Sequence, residues 1–469
     1  MTRRAHHSLA IVAAIALVAV GCTSTPPIPS SPAAPIDGSQ GAPSPSTSSD
    51  GETALIPQPA APEGVVVASD DLRVDLEVPG FSDPSEITNP LFPISSQHSV
   101  LLLGTVEDQP FRTEVTLLPH TRVLQWEGRQ IEVAVSQYVA FLGGRIQEVA
   151  YDLYAQADDG SVWYFGEDVY NFADGVITDT HGTWIAGIDG PPAMIMPADP
   201  QVGDVYRTEN IPGLVFEEVT VHAVGETFDG PLGAVEGGIV VEELHMDATT
   251  EEKQYAPGYG EFYTAADNEV EALAMAIPTD TSENPEPEPL AVLIDEPRAL
   301  LAALDEGDAD AVTASVERII VAHDDFPAVE IPARVGPVLD ETVRRLSAAA
   351  ADGDDAATGQ AAIDLGRLGL DLGLRWRDQL GIEIGRYDLW LAQMQLDAAA
   401  EETALLHGDY FALDYVRERF VSALDPEQAG SLNLGMEELI SAIDEEDFGA
   451  VAEIATHVRS AAAEISPTE

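Results

Sequence analysis

Imidazole and carboxylate side chains alternate along one stretch of the chain. Glu243, His245 and Asp247 stand at every second position of a predicted strand, and His222 lies on the predicted hairpin partner of that strand. Residues two apart on a strand point to the same face of a sheet, so these side chains could converge. Imidazole with carboxylate suits zinc or another divalent ion. Alternating polar residues are also typical of a solvated sheet face, and the sequence favours that interpretation over a metal site.

Three further carboxyl residues, Asp152, Glu167 and Asp189, are candidates for the acid and base of a hydrolase. Paired carboxyls do such work when they lie about 5–10 Å apart across a cleft. The chain has 82 acidic residues, so the nearness of two of them carries little information. Motifs of zinc proteases, serine hydrolases and P-loop proteins are absent from the sequence. We therefore assign no catalytic residue and no cofactor, and favour a protein without enzymatic activity.

The densest aromatic group of the chain could contact a ligand. Its candidate residues are Tyr154, Trp163, Phe165 and Trp184. Neighbouring residues on a strand point to opposite faces, so Trp163 and Phe165 lie on one face and Tyr164 on the other. One face must belong to the core. The other lines a ligand cleft or lies under a loop or the helical part of the chain.

These residues fall in a region, 64–277, that has the period of a half-buried sheet. Ile131, Val133 and Val135, for example, alternate with polar or small residues. Asp159-Gly160 separates two aromatic strands and predicts a hairpin turn. The region is therefore predicted to be a mostly antiparallel β domain.

Proline and acidic residues dominate the segment 278–289, which is typical of a linker. Beyond it, residues 290–469 have helical spacing and predict six to eight helices in an antiparallel bundle. Gly-Asp pairs recur at 307–308, 353–354 and 408–409. Such a pair can end one helix at its glycine and cap the next with its aspartate. The predicted fold class is α+β and multi-domain, with the β domain first and the all-α bundle second.

One predicted helix of the bundle carries charges at helical spacing. Arg367, Asp371 and Arg375 stand four residues apart. This spacing predicts a ladder of ion pairs within that helix.

Several phrases of the β region mark a resemblance to known sequences. They are Asn89-Pro90-Leu91-Phe92-Pro93, Val162-Trp163-Tyr164-Phe165-Gly166-Glu167 and Tyr255-Ala256-Pro257-Gly258. With these phrases the stretch 87–261 resembles an uncharacterised family of secreted bacterial proteins. That family has no assigned activity, so the resemblance implies a domain and no mechanism.

The start of the chain has the layout of a secretory signal. Arg3-Arg4 precedes an apolar run from Leu9 to Val20. The run is too short to span a bilayer, which takes about 20 apolar residues. A small residue, Gly21, stands immediately before Cys22, so this end of the run resembles the lipobox of bacterial lipoproteins.

The lipobox resemblance implies cleavage before Cys22 and attachment of palmitate-type acyl chains to it. The signal peptide is then 1–21. Residues 22–63 are rich in Ser, Pro and Ala and are predicted to form a disordered tether. The implied location is the outer face of the cell membrane. Cys22 is the sole cysteine, which excludes disulfides within the chain.

The charge of the chain excludes two classes of partner. Its formal net charge is −61, with 82 acidic against 21 basic residues. Such a charge repels nucleic acid and anionic lipid headgroups. The membrane is therefore expected to be contacted through the lipid anchor.

The expected function is that of a membrane-anchored, extracytoplasmic lipoprotein without enzymatic activity. Its β domain is expected to bind a small apolar or aromatic ligand of the envelope, and its helical domain to contact a protein partner. One alternative is a structural or assembly lipoprotein with no small ligand. A less favoured alternative is a hydrolase of envelope polymers.

Overall fold

The computed structural model describes residues 54–56, 59–231, 233–266, 269–277 and 285–465. The predicted signal peptide and Cys22 lie outside the described residues. The strands are β1 (Ala54–Leu55), β2 (Glu77–Val78), β3 (Ser99–Val106), β4 (Gln109–Trp126), β5 (Arg129–Leu142), β6 (Arg145–Gln156), β7 (Val162–Ala173), β8 (Val176–Asp179), β9 (Trp184–Ile185), β10 (Ala193–Met196), β11 (Val205–Ile211), β12 (Val215–Gly230), β13 (Gly233–His245), β14 (Thr250–Ala256), β15 (Gly260–Ala266) and β16 (Glu269–Ala276). The helices are α1 (Ile94–Gln97), α2 (Glu288–Glu306), α3 (Ala309–Asp325), α4 (Val335–Asp352), α5 (Asp355–Gly373), α6 (Gln379–Ala399), α7 (Thr403–Glu418), α8 (Pro426–Asp444) and α9 (Phe448–Ala463).

The fold class is α+β, as predicted. Fourteen strands form one sheet, in the order β10-β7-β6-β5-β4-β3-β16-β15-β14-β13-β12-β11, with β8 and β9 paired to β7. Neighbouring strands run antiparallel, and β6 and β7 pair around the predicted turn at Asp159-Gly160. The sheet curves until its two ends approach each other. Trp184 on β9 and Glu209 on β11 meet there, and the indole N–H of Trp184 donates a hydrogen bond to the Glu209 carboxyl at 3.3 Å. One face of the sheet is therefore concave.

The other face of the sheet packs on the helices. Phe141 on β5 stacks on Trp390 of α6 with ring centroids 5.5 Å apart. Tyr151 on β6 meets Tyr415 of α7 edge to face at 6.1 Å. One continuous group of buried apolar residues includes side chains from both the strands and the helices. The two parts of the chain thus share a hydrophobic core.

Two of the three Gly-Asp pairs join helices as predicted. Gly307 ends α2 with φ +68°, and Asp308 accepts a hydrogen bond from the Ala311 amide in the first turn of α3. The pair at 353–354 joins α4 to α5 in the same way. The third pair, 408–409, instead lies inside α7. A glycine suits this position because a Cβ at Gly408 would lie 3.1 Å from the Gly175 backbone, a tight contact where the helix meets the sheet.

The charges predicted to form a ladder within one helix do not do so: Arg375 lies beyond the end of α5, and both Asp371 and Arg375 pair with other elements. Asp371 is bound by Arg112 of β4 and lies 3.4 Å from Arg386 of α6. Arg375 donates to the carbonyl of Glu330, which precedes α4. Asp371 and Arg375 are buried between elements. A buried charge needs a partner, and the nearest partners here belong to other elements and not to the same helix. Within the described residues, no helix is both long and apolar enough to cross a membrane.

Candidate functional site

A bulge in β7 gathers carboxyl and phenol groups on the concave face. Asp152 of β6 is paired with Glu167 of β7, while two residues along β6 correspond to three along β7. The extra residue brings both Tyr164 and Glu167 to the side of Asp152, although simple alternation separates them. Gly166 makes this possible, because it has φ +121° and a Cβ there would lie 2.1 Å from the Trp184 carbonyl oxygen. Tyr164 then donates a hydrogen bond to Asp152 at 2.7 Å.

A cavity of about 100 Å³ opens on the concave face, between β4–β6 on one side and β15–β16 on the other. We call it the sheet cavity. Its wall is largely apolar and aromatic, with five rings, from Phe92, Phe111, Tyr138, Tyr154 and Tyr259. Three carboxyl residues interrupt this wall: Asp152, Glu261 and Glu271.

Three polar atoms of the sheet cavity have no hydrogen-bond partner among the described residues. They are Oε1 of Gln97, Oγ of Ser136 and Oε2 of Glu271. All three side chains are buried, with exposed fractions of 5%, 0% and 1%. A buried polar atom without a partner costs about 1–3 kcal/mol, so native proteins satisfy nearly all of them with protein, water or ligand. The sheet cavity is therefore a place where a polar molecule is needed.

Asp152 and Glu271, which line the sheet cavity, take up protons near neutral pH. Burial raises the pKa of Asp152 to about 7, although the Tyr164 and Tyr154 hydroxyls that bond to it oppose this rise. Burial and the nearby Glu251 raise the pKa of Glu271 to about 7. Raised carboxyl pKa values in a cavity are a common feature of functional sites.

The carboxyl residues expected for a hydrolase are only partly brought together. Glu167 is beside Asp152, but its carboxyl group shares a hydrogen bond with Glu209 of β11. Burial raises the pKa of both Glu167 and Glu209 well above the ordinary range, which favours a shared proton. Asp189 lies in an exposed turn and accepts a hydrogen bond from the Ile185 amide at 2.9 Å. Asp152 is the one member of the expected set that lines the sheet cavity.

The four aromatic candidates fall into two groups. Tyr154 lines the sheet cavity, where it stacks on Tyr164 with ring centroids 4.8 Å apart. Trp163, Phe165 and Trp184 are fully buried, each with an exposed fraction of 0%. Phe165 is covered by Phe81 of the segment before α1, edge to face at 5.5 Å. These three residues serve the core, and Tyr154 is the one at the site.

The metal-site candidates are separated by a second bulge. His222 is the extra residue of β12 between Val221 and Ala223, and it is exposed. The partner of His245 is instead Glu217, the residue directly opposite on β12. The imidazole Nδ1 lies 3.3 Å from a Glu217 oxygen. Glu217 was not among the residues predicted from the sequence, because alternation alone does not fix the register of a hairpin that contains a bulge.

Glu217, Glu243 and His245 carry potential ligand atoms within 4.8 Å of one another. The group already contains cations. The Lys253 ammonium lies 3.1 Å from Glu243, and the neighbouring Glu217 and Glu251, against the effect of burial, raise the pKa of His245 to about 11. A protonated imidazole has no lone pair for a metal. These residues fit an internal ion-pair network better than a metal centre.

Comparison with known proteins adds no relative. No model of a protein family matches the chain, and no curated protein is significantly similar to it in sequence.

Proposed function

We propose that this protein is a membrane-anchored, extracytoplasmic lipoprotein without enzymatic activity, and that its sheet cavity binds a small organic cation. The anchor rests on the lipobox-like end of the apolar run at Gly21-Cys22. The observation that supports the cation is the set of unpartnered buried oxygen atoms in a cavity with aromatic walls. Gln97 Oε1 and the ionised carboxyl of Glu271 are hydrogen-bond acceptors, and the Ser136 hydroxyl can act as one. The fitting ligand is therefore a donor.

An ammonium group matches this cavity better than a neutral hydroxyl. It offers up to three donors and no acceptor. Its charge is attracted both to aromatic faces, such as those of Tyr138 and Tyr154, and to the Asp152 and Glu271 carboxyls. The remaining apolar wall suits a short hydrocarbon body.

The size of the cavity limits the ligand. An engineered cavity of about 150 Å³ holds benzene, so a cavity of about 100 Å³ admits roughly four to five heavy atoms. Pockets for larger ligands usually measure about 300–1,000 Å³. The expected class is thus a small alkylammonium ion and not a lipid chain.

Two probes of equal shape test this proposal. Binding of tert-butylammonium and of tert-butanol to the full chain in detergent is measured by ligand-observed NMR at about pH 6 and about pH 8. Because Asp152 and Glu271 ionise near pH 7, the affinity for the ammonium should rise about tenfold for each carboxyl across this range. The affinity for the alcohol should not rise.

Matched variants locate the binding. Glu271→Gln should weaken ammonium binding and remove part of its pH dependence. Glu252→Gln, an exposed carboxyl on β14, should change neither. If neither probe binds at either pH, the structural or assembly role without a small ligand becomes the better proposal.

The lipid anchor has its own test. Cys22→Ala should move the protein from the membrane fraction to the soluble fraction, because two or more acyl chains anchor stably where one is marginal. Labelling cells with a fatty acid should mark the unchanged chain and not the variant. A variant that still sediments with membranes would contradict the anchor.

The hydrolase alternative has one observation in its favour. Asp152 and Glu271 both line the sheet cavity, and the pKa of each is raised to about 7. Raised carboxyl pKa values can serve acid–base catalysis. Incubation with peptidoglycan and wall polysaccharide should release soluble fragments only under this alternative, and Asp152→Asn should abolish the release.

A further inference from the structure

A second cavity lies where the sheet meets the helices. Its volume is about 60 Å³, and we call it the interface cavity. Arg112 of β4, Arg367 of α5 and Arg386 of α6 line it, beside Glu114, Asp371 and Trp390. Three arginines at one buried point are unexpected in a chain with a net charge of −61.

The carboxylates around the interface cavity are already occupied by cations. Arg112 donates to Asp371 and to Glu114, in each case at 2.7 Å. Arg419 donates to Glu114 from the other side at 2.5 Å and to Glu383 at 3.2 Å. Each of these carboxylates is thus held by at least one guanidinium group.

Among the arginines that line the interface cavity, two N–H groups have no acceptor within the described residues. They are Nε of Arg386 and Nη2 of Arg367. The Arg386 side chain is 5% exposed, so water outside the protein does not reach it freely. Arg367 lies over the Trp390 ring at 4.2 Å, and its nearest carboxylate, Asp364, is 3.9 Å away, beyond hydrogen-bond distance.

The charges of this network do not cancel. Within the described residues, Arg112, Arg386 and Arg419 balance Glu114, Asp371 and Glu383, whereas Arg367 has to share its one nearby carboxylate, Asp364, with Arg345. The excess is one positive charge. A buried charge without compensation is costly, and a water molecule in the cavity would not neutralise it.

We propose that the interface cavity binds one small monovalent anion, such as chloride or formate. The anion would accept the two unpartnered N–H groups and cancel the excess charge. The volume of about 60 Å³ excludes larger anions. Because the cavity joins β4 to α5 and α6, the bound anion would connect the sheet to the helices.

Anion exchange at constant ionic strength tests this proposal. The unfolding temperature of the full chain is measured in sodium gluconate, whose anion is too large, and then in sodium chloride or sodium formate. A ligand that binds the folded state raises its stability with concentration. We expect a rise of a few degrees that saturates with the concentration of the small anion. Equal unfolding temperatures in all three salts would overturn the proposal.

Two arginines that share one carboxylate provide the matched variants. Arg367 and Arg345 both lie near Asp364, but only Arg367 lines the interface cavity. Arg367→Gln should lose most of the anion-dependent rise, and Arg345→Gln should keep it. An unchanged rise in Arg367→Gln would show that the effect of the salt is not specific to this cavity.

Crystals of the unchanged chain grown with bromide give a test that needs no variant. The expected result is an anomalous peak within hydrogen-bond distance of Arg386 Nε and Arg367 Nη2. Ordered water without an anomalous peak would overturn the proposal.

Discussion

Glu114 and Glu148 lie on opposite faces of the curved sheet, and their pKa values are shifted in opposite directions. On the helix-facing side, Glu114 is buried, yet the charges of Arg386, Arg112 and Arg419 outweigh burial and hold its pKa well below the ordinary range. On the concave side, Glu148 is equally buried, and burial together with Asp152 and Asp179 raises its pKa to about 8. The difference lies in the partners and not in the depth of burial.

A carboxyl group at the helix-facing interface also shows that the hydrogen-bond and ion-pair partners set the direction of the pKa shift. Glu418 at the end of α7 accepts hydrogen bonds from the Tyr151 hydroxyl at 2.6 Å and from the Gln137 amide at 3.3 Å. Both donors are neutral. Burial raises the pKa of Glu418 to about 7 despite these bonds. Neutral hydrogen bonds therefore moderate the cost of burying the Glu418 carboxylate, whereas the three guanidinium groups around Glu114 outweigh that cost.

The largest effect should follow from removing a cation on the helix-facing side. Arg419→Met leaves Glu114 and Glu383 without their closest shared cation, in a site where the arginine side chain is 1% exposed. Breaking a buried ion pair on one side costs about 3–5 kcal/mol. Urea denaturation should show this loss in the free energy of unfolding. Arg344→Met, at an exposed pair, is the control and should change little.

The unchanged protein should lose stability as the pH rises from about 5 to about 8. Asp152, Glu271 and Glu148 have raised pKa values of about 7, 7 and 8, so the folded state binds more protons than the unfolded state in this window. By linkage, stability then falls with rising pH, by about 3 kcal/mol or more. Glu114 acts in the opposite direction and only below its ordinary pKa range. Urea midpoints across this range measure the effect, and a flat profile would contradict it.

The same substitution on the two faces should have opposite effects. Glu148→Gln removes a charge that burial disfavours, so it should stabilise the protein by about 2 kcal/mol near pH 9 and have little effect near pH 5. Glu114→Gln removes a charge that three arginines need, and it should destabilise at both pH values. Urea denaturation of both variants measures this difference. Destabilisation by Glu148→Gln near pH 9 would remove the distinction between the faces.

The smallest expected effect concerns one hydrogen bond on the concave face. Tyr164→Phe deletes the hydroxyl that donates to Asp152 at 2.7 Å. We expect a loss of about 1 kcal/mol near pH 8, where the carboxylate needs the donor. The pKa of Asp152 should also rise further, because this bond lowers it. Carboxyl ¹³C NMR titration follows that pKa directly, and a pKa that does not move would show that the bond is unimportant.

The sequence predicted the architecture better than the site. Alternation in β5 and helical spacing beyond residue 288 depend on local periodicity, and the α+β class followed from them. The hairpin at Asp159-Gly160 and the helix junctions at Gly307 and Gly353 depend on local backbone chemistry in the same way.

The site depends on irregularities that periodicity does not reveal. The bulges beside Gly166 and at His222 change which residues share a face, so Glu167 joins Asp152 and Glu217 replaces His222 as the neighbour of His245. The glycine between Phe165 and Glu167 was the available signal for the first bulge. Contacts between β16 and β3, or between Arg112 and Asp371, join residues far apart in sequence and left no local signal.

The burial of Lys253 determines which reagents can mark this protein. Lys253 is the sole lysine of the chain, and its ammonium is held between Glu243 and Glu251 with 7% of the side chain exposed. The folded protein therefore has no accessible lysine side chain for reagents that couple to, acylate or crosslink lysine. Because the chain has one lysine, trypsin cleaves the unfolded chain almost entirely after arginine residues. Amine-reactive biotin should therefore leave the side chains of the folded protein unlabelled.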